Sequence, residues 1–344
     1  MGIQDVWSKA NSLRGCLAGL KTLKSRRRIA IGQDEDPLEV DCFLGDKAKL
    51  LLSKQVRVLH KKTQVFTCPK NPLVRTRATH TMETVATAAM IADMLGLNTH
   101  LAEAAALGHD IGHVPCGHQG EAWMAKALEK PGFCHEVMGA IKAQKIARKG
   151  RGLNLTWDTL AAMVSHGGKT FGWEMSPEAW VVYWADKIAY TFGDISDAKL
   201  RICWNLSQEI MGIVGLFGSN HREWASTAIS ALVVESAEFS RVSFEHSELA
   251  QKFKRLRQLM HGVYIRVTEQ NVDAILRPVL EFLQRVYDGD PFILLALMTD
   301  EDVITLTDTP MKDVQAFQHT SVSEIAPTIQ GTGPIDLCDP DLNW

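Results

Sequence analysis

The segment 107–121 concentrates side chains that could do chemistry. It contains the adjacent pair His109-Asp110, further histidines at 113 and 118, and the carboxylate of Glu121. An imidazole beside a carboxylate contributes little to a structural helix, but both groups are ligands of divalent metals that hold phosphate and water together. If the pair binds a metal, other parts of the chain must supply the remaining ligands.

Two other segments carry residues of the required kind. His80 lies in 75–83 and Asp186 lies in 184–197. With the His109-Asp110 pair they supply imidazoles and carboxylates in a mixture that suits an octahedral ion such as Mn²⁺, Fe²⁺, Co²⁺ or Mg²⁺. A closed tetrahedral zinc site would more often use cysteine. The sequence therefore predicts a divalent-metal site with positions left for water and a phosphate oxygen.

Helices are the elements that must bring these segments together. From Val40 to about Glu301, apolar residues recur at spacings of three and four in Ala-rich windows. Gly and Pro clusters separate the windows; Thr99 is a candidate N-cap, and Pro177 takes the favoured first position of the helix that carries Asp186. We therefore expect an all-α fold. The helical windows are 83–95, 101–109, 121–130, 136–148, 178–190, 208–217, 224–238, 248–261 and 271–287.

Helical spacing also groups the polar side chains. One helix face carries four of them, namely Asp186, Tyr190, Asp194 and Asp197. Arg77 precedes His80 by three residues and shares its face, where a guanidinium can neutralise phosphate charge. Pro115 and Gly117 break the helical pattern, so that His118 can turn back toward the site.

Composition restricts the class of protein. The 344 residues are 46% hydrophobic with a formal net charge of −3, so a core is feasible and no global positive field indicates nucleic acid binding. We find neither an apolar run of membrane-spanning length nor a signal peptide. The seven cysteines form no C-x-x-C pair, which is typical of reduced thiols. We expect a cytoplasmic protein that does not enter a membrane.

The ordered motifs resemble a known family. R-x-x-H, then H-D-I-G-H-x-P-x-G-H-x-G-E, then A-D-x-I-A-Y-x-x-x-D-x-x-D are similar to the HD-domain superfamily, and more narrowly to its deoxyguanosine triphosphate triphosphohydrolases and their dNTPase relatives. The segment K-T-Q-V-F at 62–66 and M-T-D at 298–300 extend the resemblance to roughly residues 25–305. The resemblance implies an HD-domain helical fold with additional helices.

Carried over position by position, the resemblance also implies roles for individual residues. The metal ligands would be His80, His109, Asp110 and Asp186. The residues beside the scissile phosphate would be His118, His135 and Glu121. The residues that contact phosphates, sugar or base would be Arg77, Gln64, His113, Lys187, Tyr190 and Asp194.

Plainer interpretations of several residues stay open. His118 could be a loop histidine bonded to the backbone, and His135 and Glu121 could be polar residues in the first turns of helices. Asp194 could belong to a structural ion pair. For His166, in a Gly-rich segment predicted as a loop, functional and structural interpretations are equally open.

The sequence departs from the family at three places. Residues 43–49 replace the Arg- and Asp-rich segment common upstream of K-T-Q-V-F, Cys116 stands where Phe is common, and Gly193 stands where many relatives have histidine. The metal-ligand positions are untouched. These differences bear on the choice of nucleotide and on regulation.

The resemblance implies a metal-dependent phosphohydrolase. Water would attack the α-phosphorus of a deoxynucleoside triphosphate, with dGTP favoured, and triphosphate would leave as one unit. One alternative is a nucleoside 5′-monophosphatase or nucleotide phosphodiesterase of the HD type; another is a catalytically weak nucleotide-sensing protein. Relatives form homo-oligomers, often hexamers, and some bind single-stranded DNA, which the net charge here does not support.

The predicted organisation has four parts. They are a basic N-terminal arm at 1–39, an HD phosphohydrolase core at 40–205, a helical part packed on the core at 206–305, and an irregular tail at 306–344.

Overall fold

The structure is a computed structural model that describes residues 2–29, 40–65, 71–169, 171–200, 206–267, 271–308, 317–330 and 333–344. Within these ranges the chain is helical and forms no β-strand, which confirms the all-α class. Phe66 of the K-T-Q-V-F segment and the predicted boundaries near 39 and 205 lie outside the described residues.

The α-helices of the described residues are α1 (Ile3–Ser12), α2 (Cys42–Leu51), α3 (Lys54–Arg57), α4 (Arg77–Leu95), α5 (Thr99–Gly108), α6 (Gly117–Ala127), α7 (His135–Ile141), α8 (Trp157–Ser165), α9 (Pro177–Leu200), α10 (Gln208–Gly215), α11 (His221–Phe239), α12 (Glu248–Val267), α13 (Val272–Val286), α14 (Pro291–Leu297), α15 (Asp300–Asp308) and α16 (Ala326–Ile329).

Helices α4, α5 and α9 form the centre of the fold, and each packs against the other two. Helix α9 begins at Pro177 as predicted, and the Ser176 hydroxyl accepts a hydrogen bond from the Ala179 N–H at 3.1 Å. The prediction that Thr99 caps α5 is wrong. The cap is Asn98, whose side-chain oxygen accepts the Leu101 N–H at 3.2 Å, because an amide oxygen one residue earlier reaches this N–H.

A tight turn joins α5 to α6 and carries much of the motif-rich segment. It packs directly on the first turn of α7, where an added Cβ at Gly112 would lie 1.8 Å from the carbonyl oxygen of His135. Only glycine permits this approach of backbone to backbone. Gly112 therefore allows the turn and α7 to bring their histidines together.

The N-terminal segment, which was predicted as a basic arm, contains a helix that packs on the rest of the chain. Helix α1 packs against α11, and its Val6 and Ala10 are fully buried. They belong to one continuous apolar cluster that extends to Leu342 near the C-terminus. The apolar side of α1 is short and finds its partner only in the tertiary structure, so composition gave no sign of it.

The structure also contains helical segments that the periodicity did not indicate. Helix α8 lies where no helical window was predicted, and it places His166 at its C-terminal end rather than in a loop. Helix α15 continues to Asp308, so regular structure extends beyond Thr305. The apolar run near residue 292 forms α14, and its residues from Ile293 to Leu297 are buried. Among the described helices, none has both the length and the apolar character to cross a membrane.

Candidate metal centre

The four candidate metal ligands converge at the contact between α4, α5 and α9. His80 lies in the first turns of α4, His109 and Asp110 follow the last turn of α5, and Asp186 lies within α9. The Nε2 atom of His80 is 3.1 Å from Asp186 Oδ1 and 3.7 Å from Asp110 Oδ2. The Nε2 atom of His109 is 3.3 Å from Asp110 Oδ2 and 3.7 Å from Asp186 Oδ1. All four side chains thus point at a common volume.

The donor set fits a divalent cation. His109 Nδ1 donates a hydrogen bond to the Ala106 carbonyl at 2.6 Å, which leaves Nε2 directed at the carboxylates. That buried Nε2 makes no hydrogen bond in the described part of the chain. Buried polar atoms are rarely left without a partner. A cation between His109 and the two carboxylates would be a partner for the imidazole nitrogen and for both carboxylates.

The charges of the site have the sign that a cation requires. Burial alone would raise the pKa of Asp110, but His109 and Arg77 hold it well below its ordinary value. Burial likewise opposes ionisation of Asp186, whose pKa is nevertheless held low by the neighbouring imidazoles of His109 and His80. For His109, burial lowers the pKa and the carboxylate of Asp110 outweighs it, so the pKa rises to about 10; a cation bound at Nε2 would replace the proton held there. Both carboxylates are therefore ionised.

A second group of imidazoles lies against the other side of Asp110. The Oδ1 atom of Asp110 is 3.3 Å from His113 Nε2 and 3.9 Å from His135 Nε2. The rings of His113 and His135 are stacked with centroids 3.8 Å apart. His135 Nδ1 donates to Glu121 Oε2 at 2.7 Å, and His118 Nδ1 is 3.7 Å from the same oxygen. The structure thus brings the residues expected beside the phosphate next to the candidate metal ligands.

Exposure separates the two histidines that could transfer a proton. The His118 side chain is 75% exposed and lies at the mouth of the site, whereas that of His135 is buried. Burial lowers the pKa of His135, but its hydrogen bond to Glu121 outweighs this and raises the pKa above the ordinary value. Burial would raise the pKa of Glu121, and its contacts with His118 and His135 instead lower it strongly.

His166 belongs to this group, although the sequence gave no preference for a functional role. Its Nδ1 donates to the Met163 carbonyl at 2.7 Å, and its Nε2 lies 3.2 Å from His135 Nε2 and 4.0 Å from Asp110 Oδ1. With Nδ1 protonated, Nε2 of His166 is an acceptor for a proton held on His135. The sequence pattern predicted no helix here. A predicted helix that ends at Ser165 would have indicated that the ring of His166 points into the site.

Arg77, the first residue of α4, lies next to the candidate metal centre, and Gln64 lies beside Arg77. Arg77 donates from Nη1 to Asp110 Oδ2 at 2.6 Å and from Nε to the Thr63 carbonyl at 2.9 Å. Its guanidinium therefore already contacts a candidate metal ligand. The side-chain oxygen of Gln64 is buried and has no hydrogen-bond partner in the described part of the chain, so it can accept a hydrogen bond from a bound molecule.

The polar face of α9 forms a wall beside the centre. Lys187 Nζ lies 4.0 Å from Asp186 Oδ2 and 3.5 Å from the centroid of the Tyr183 ring, and burial lowers the pKa of Lys187 to about 8. The Tyr190 hydroxyl accepts a hydrogen bond from Arg257 Nε of α12 at 2.8 Å. Burial raises the pKa of Tyr190 to about 12, so the hydroxyl stays neutral.

Asp194, farther along the same face, has partners for both carboxylate oxygens. Oδ1 pairs with Arg75, and Oδ2 accepts a hydrogen bond from the Tyr264 hydroxyl at 2.6 Å. Burial raises the pKa of Asp194 above its ordinary value, although Arg75 opposes the shift. Neither Arg75 nor Tyr264 was singled out as a site residue from the sequence.

Comparisons with known proteins identify the family of this chain. The family model described as HD domain matches residues 77–191, which contain all four candidate metal ligands. A "deoxyguanosinetriphosphate triphosphohydrolase-like protein" of Caldanaerobacter subterraneus subsp. tengcongensis is 34% identical over 76% of this chain and 76% of its own length. Proteins of the same name from Clostridium tetani and Clostridium perfringens are 31% and 30% identical, over 74% and 78% of this chain and 73% and 82% of their own lengths. The chain therefore belongs to the deoxyguanosinetriphosphate triphosphohydrolase-like proteins, a family of HD-domain phosphohydrolases.

Proposed function

We propose that this protein hydrolyses deoxynucleoside triphosphates, with dGTP favoured, to a deoxynucleoside and inorganic triphosphate. The observation that carries the proposal is the position of Asp110, whose two oxygens face different groups of imidazoles. One group belongs to the metal centre and the other is linked to Glu121. Such a site can hold a phosphoryl group at a cation and offer it a proton donor at the same time. The names of the relatives support a triphosphate substrate.

The residues that would hold a divalent cation are His80, His109, Asp110 and Asp186. When bound, Mn²⁺, Mg²⁺, Co²⁺ or Fe²⁺ would withdraw charge from an α-phosphate oxygen and make a neighbouring water more acidic. In hydrolysis, the water oxygen forms a bond to the α-phosphorus and the bond from phosphorus to the 5′ oxygen breaks. The water gives up a proton and the 5′ oxygen receives one.

His135 and His118 are the candidates for this proton transfer. His135 is oriented by its hydrogen bond to Glu121 and lies 3.9 Å from Asp110. The exposed His118 lies 3.7 Å from the same oxygen of Glu121. Imidazole titrates near neutrality, which suits it to both acid and base roles. Either histidine can protonate the leaving 5′ oxygen, and single variants distinguish them.

Other side chains would bind the two ends of the substrate. Arg77 and Lys187 lie around the metal centre and would offset the charge of the triphosphate, and the neighbouring His113 would contact the phosphates. On the α9 wall, Tyr190 and Asp194 would contact the sugar. The unpartnered amide oxygen of Gln64 would accept a hydrogen bond from the sugar or base.

The test is incubation of the protein with each of the four dNTPs and the four NTPs in the presence of Mn²⁺, followed by separation of nucleosides and phosphates. We expect inorganic triphosphate and deoxynucleoside in equal amounts. Orthophosphate or a nucleoside monophosphate as the product would favour the HD-type 5′-monophosphatase or phosphodiesterase. Binding of dNTPs without turnover under Mn²⁺, Co²⁺ and Mg²⁺ would favour a nucleotide-sensing protein.

We propose further that the protein acts in the cytoplasm as a homo-oligomer, as its resemblance to ring-forming relatives implies. Light scattering on the purified protein tests the oligomeric state. The net charge of −3 gives no support to binding of single-stranded DNA, and a mobility-shift titration tests that expectation.

A further inference from the structure

Arg75 is a buried arginine with three acidic partners. Its residue is 7% exposed. Its Nη1 donates to Glu83 Oε2 at 2.8 Å, its Nε donates to Asp197 Oδ2 at 2.9 Å, and its Nη2 pairs with Asp194 Oδ1. The guanidinium is therefore fixed in position and orientation, because each of its nitrogens is bound to a different carboxylate.

Gly193 provides the space that this guanidinium occupies. A Cβ built on Gly193 would lie 1.9 Å from Arg75 Nη1 and 2.2 Å from Arg75 Cζ. The guanidinium also reaches the α9 backbone, since Nη1 lies 3.4 Å from the Ala189 carbonyl oxygen. Any side chain at position 193 must displace Arg75. The glycine at position 193, where many relatives have histidine, is therefore what allows the Arg75 guanidinium to occupy this place.

The arrangement fixes the orientation of Asp194. Arg75 binds one carboxylate oxygen and the Tyr264 hydroxyl binds the other, so the group is held between the segment just before α4 and the last turn of α12. Asp194 is 3% exposed and lies on the α9 face that continues from Asp186 through Tyr190. A preoriented wall binds a ligand more tightly because less conformational freedom is lost on binding.

We propose that Arg75 is a positioning residue that holds Asp194 in place for the nucleoside part of the substrate, and that Gly193 is required because it leaves room for Arg75. This inference rests on the proposed function, which assigns the α9 wall to the sugar. It assigns no contact between Arg75 and the substrate.

The first test is Gly193→Ala. The methyl group displaces the guanidinium and releases one oxygen of Asp194. We expect the KM for dGTP to rise about tenfold, as for the loss of a charge-assisted hydrogen bond, with kcat changed less than about twofold. The inhibition constant of inorganic tripolyphosphate should stay within about twofold, because that ligand lacks the nucleoside. The matched control is Gly212→Ala in α10, where an added Cβ meets no atom within 4 Å and both constants should be unchanged.

A second variant separates positioning from damage to the fold. Arg75→Ala would leave three carboxylates without their cation and endangers folding. Arg75→Lys keeps the charge but has a single nitrogen in place of the planar three-nitrogen group, so it cannot hold the three carboxylates in their present positions, and we expect it to raise the KM for dGTP as Gly193→Ala does. In the Arg75→Lys background, Gly193→Ala should add less than about twofold to KM, because the two substitutions remove the same contact. Metal content should match that of the wild type in every variant.

Two results would overturn the inference. One is an equal rise of the KM for dGTP and of the tripolyphosphate inhibition constant, which indicates a general distortion of the site. The other is a wild-type KM in Gly193→Ala. If the wild type binds dGTP but does not hydrolyse it, the proposed function fails, and the ratio of the dissociation constants of dGTP and tripolyphosphate then decides the role of Arg75 in the same way.

Discussion

The carboxylate of Asp300 accepts a hydrogen bond at 2.8 Å from the backbone N–H of Cys116, which lies 184 positions earlier in the chain. The same carboxylate accepts the N–H and the hydroxyl of Thr63, at 3.0 and 2.9 Å. Asp300 therefore joins the K-T-Q-V-F segment to the turn between α5 and α6. Lys62 and Lys142 reinforce the link, because the side-chain nitrogens of both donate hydrogen bonds to the carbonyl oxygen of His113.

Asp300→Ala should remove this link. Three donors would be left without their acceptor in a buried region, so we expect the free energy of unfolding to fall by about 2–4 kcal/mol. Urea denaturation followed by circular dichroism measures the loss. Glu301→Gln is the control, since its ion pair with Lys61 is exposed and should contribute less than about 1 kcal/mol. Equal stability of Asp300→Ala and wild type would exclude a structural role for the link.

Asp110→Ala should abolish both metal uptake and hydrolysis. The residue offers one oxygen to the metal centre and the other to the second group of imidazoles, so its loss affects both. Metal content of the purified protein and release of triphosphate are the two measurements. Asp93→Ala, at an exposed surface ion pair with Arg14, is the control. An Asp110→Ala variant with full activity would contradict the assignment of the metal centre.

Glu121→Gln should reduce turnover while leaving the metal bound. Gln can still accept the hydrogen bond from His135 Nδ1 but cannot stabilise a protonated imidazole, so we expect kcat to fall about 10²-fold. His135→Asn should reduce kcat at least as much if His135 is the proton donor. Should His118→Asn reduce kcat more than His135→Asn does, His118 would be assigned the proton transfer instead. Metal content serves as the control in each variant.

Glu235 gives the protein a pH-dependent contribution to stability away from the site. Burial would raise its pKa, but backbone N–H groups at 245 and 247 lower it to about 2. Because the pKa in the folded state lies below that in the unfolded chain, the stabilisation is complete above about pH 5 and is lost as the pH falls toward 2. Glu235→Gln should therefore cost about 1–2 kcal/mol at pH 7.

Urea denaturation at pH 7, 5 and 3.5 checks this prediction. The difference in the free energy of unfolding between wild type and Glu235→Gln should shrink as the pH falls. Glu248→Gln, in the first turn of α12, is a matched surface control. A difference that stays constant over this range would mean that the carboxylate charge does not contribute.

The sequence by itself determined the class of fold and named the candidate ligand set. Helical periodicity reports local burial, so it indicated the long amphipathic helices, including the face of α9 that carries Asp186, Tyr190 and Asp194. It missed α8, whose residues from Thr159 to Ser165 are all buried, because a helix that is covered on every side shows no alternation of polar and apolar residues.

The tertiary structure alone decided which distant groups meet. It directed His166 toward His135, joined Asp300 to Cys116, and placed the guanidinium of Arg75 over Gly193. Each contact joins residues that are far apart in the chain, and its formation depends on how whole helices pack. Local spacing holds no information about such distances, whereas the close packing of helices fixes them to a fraction of an ångström.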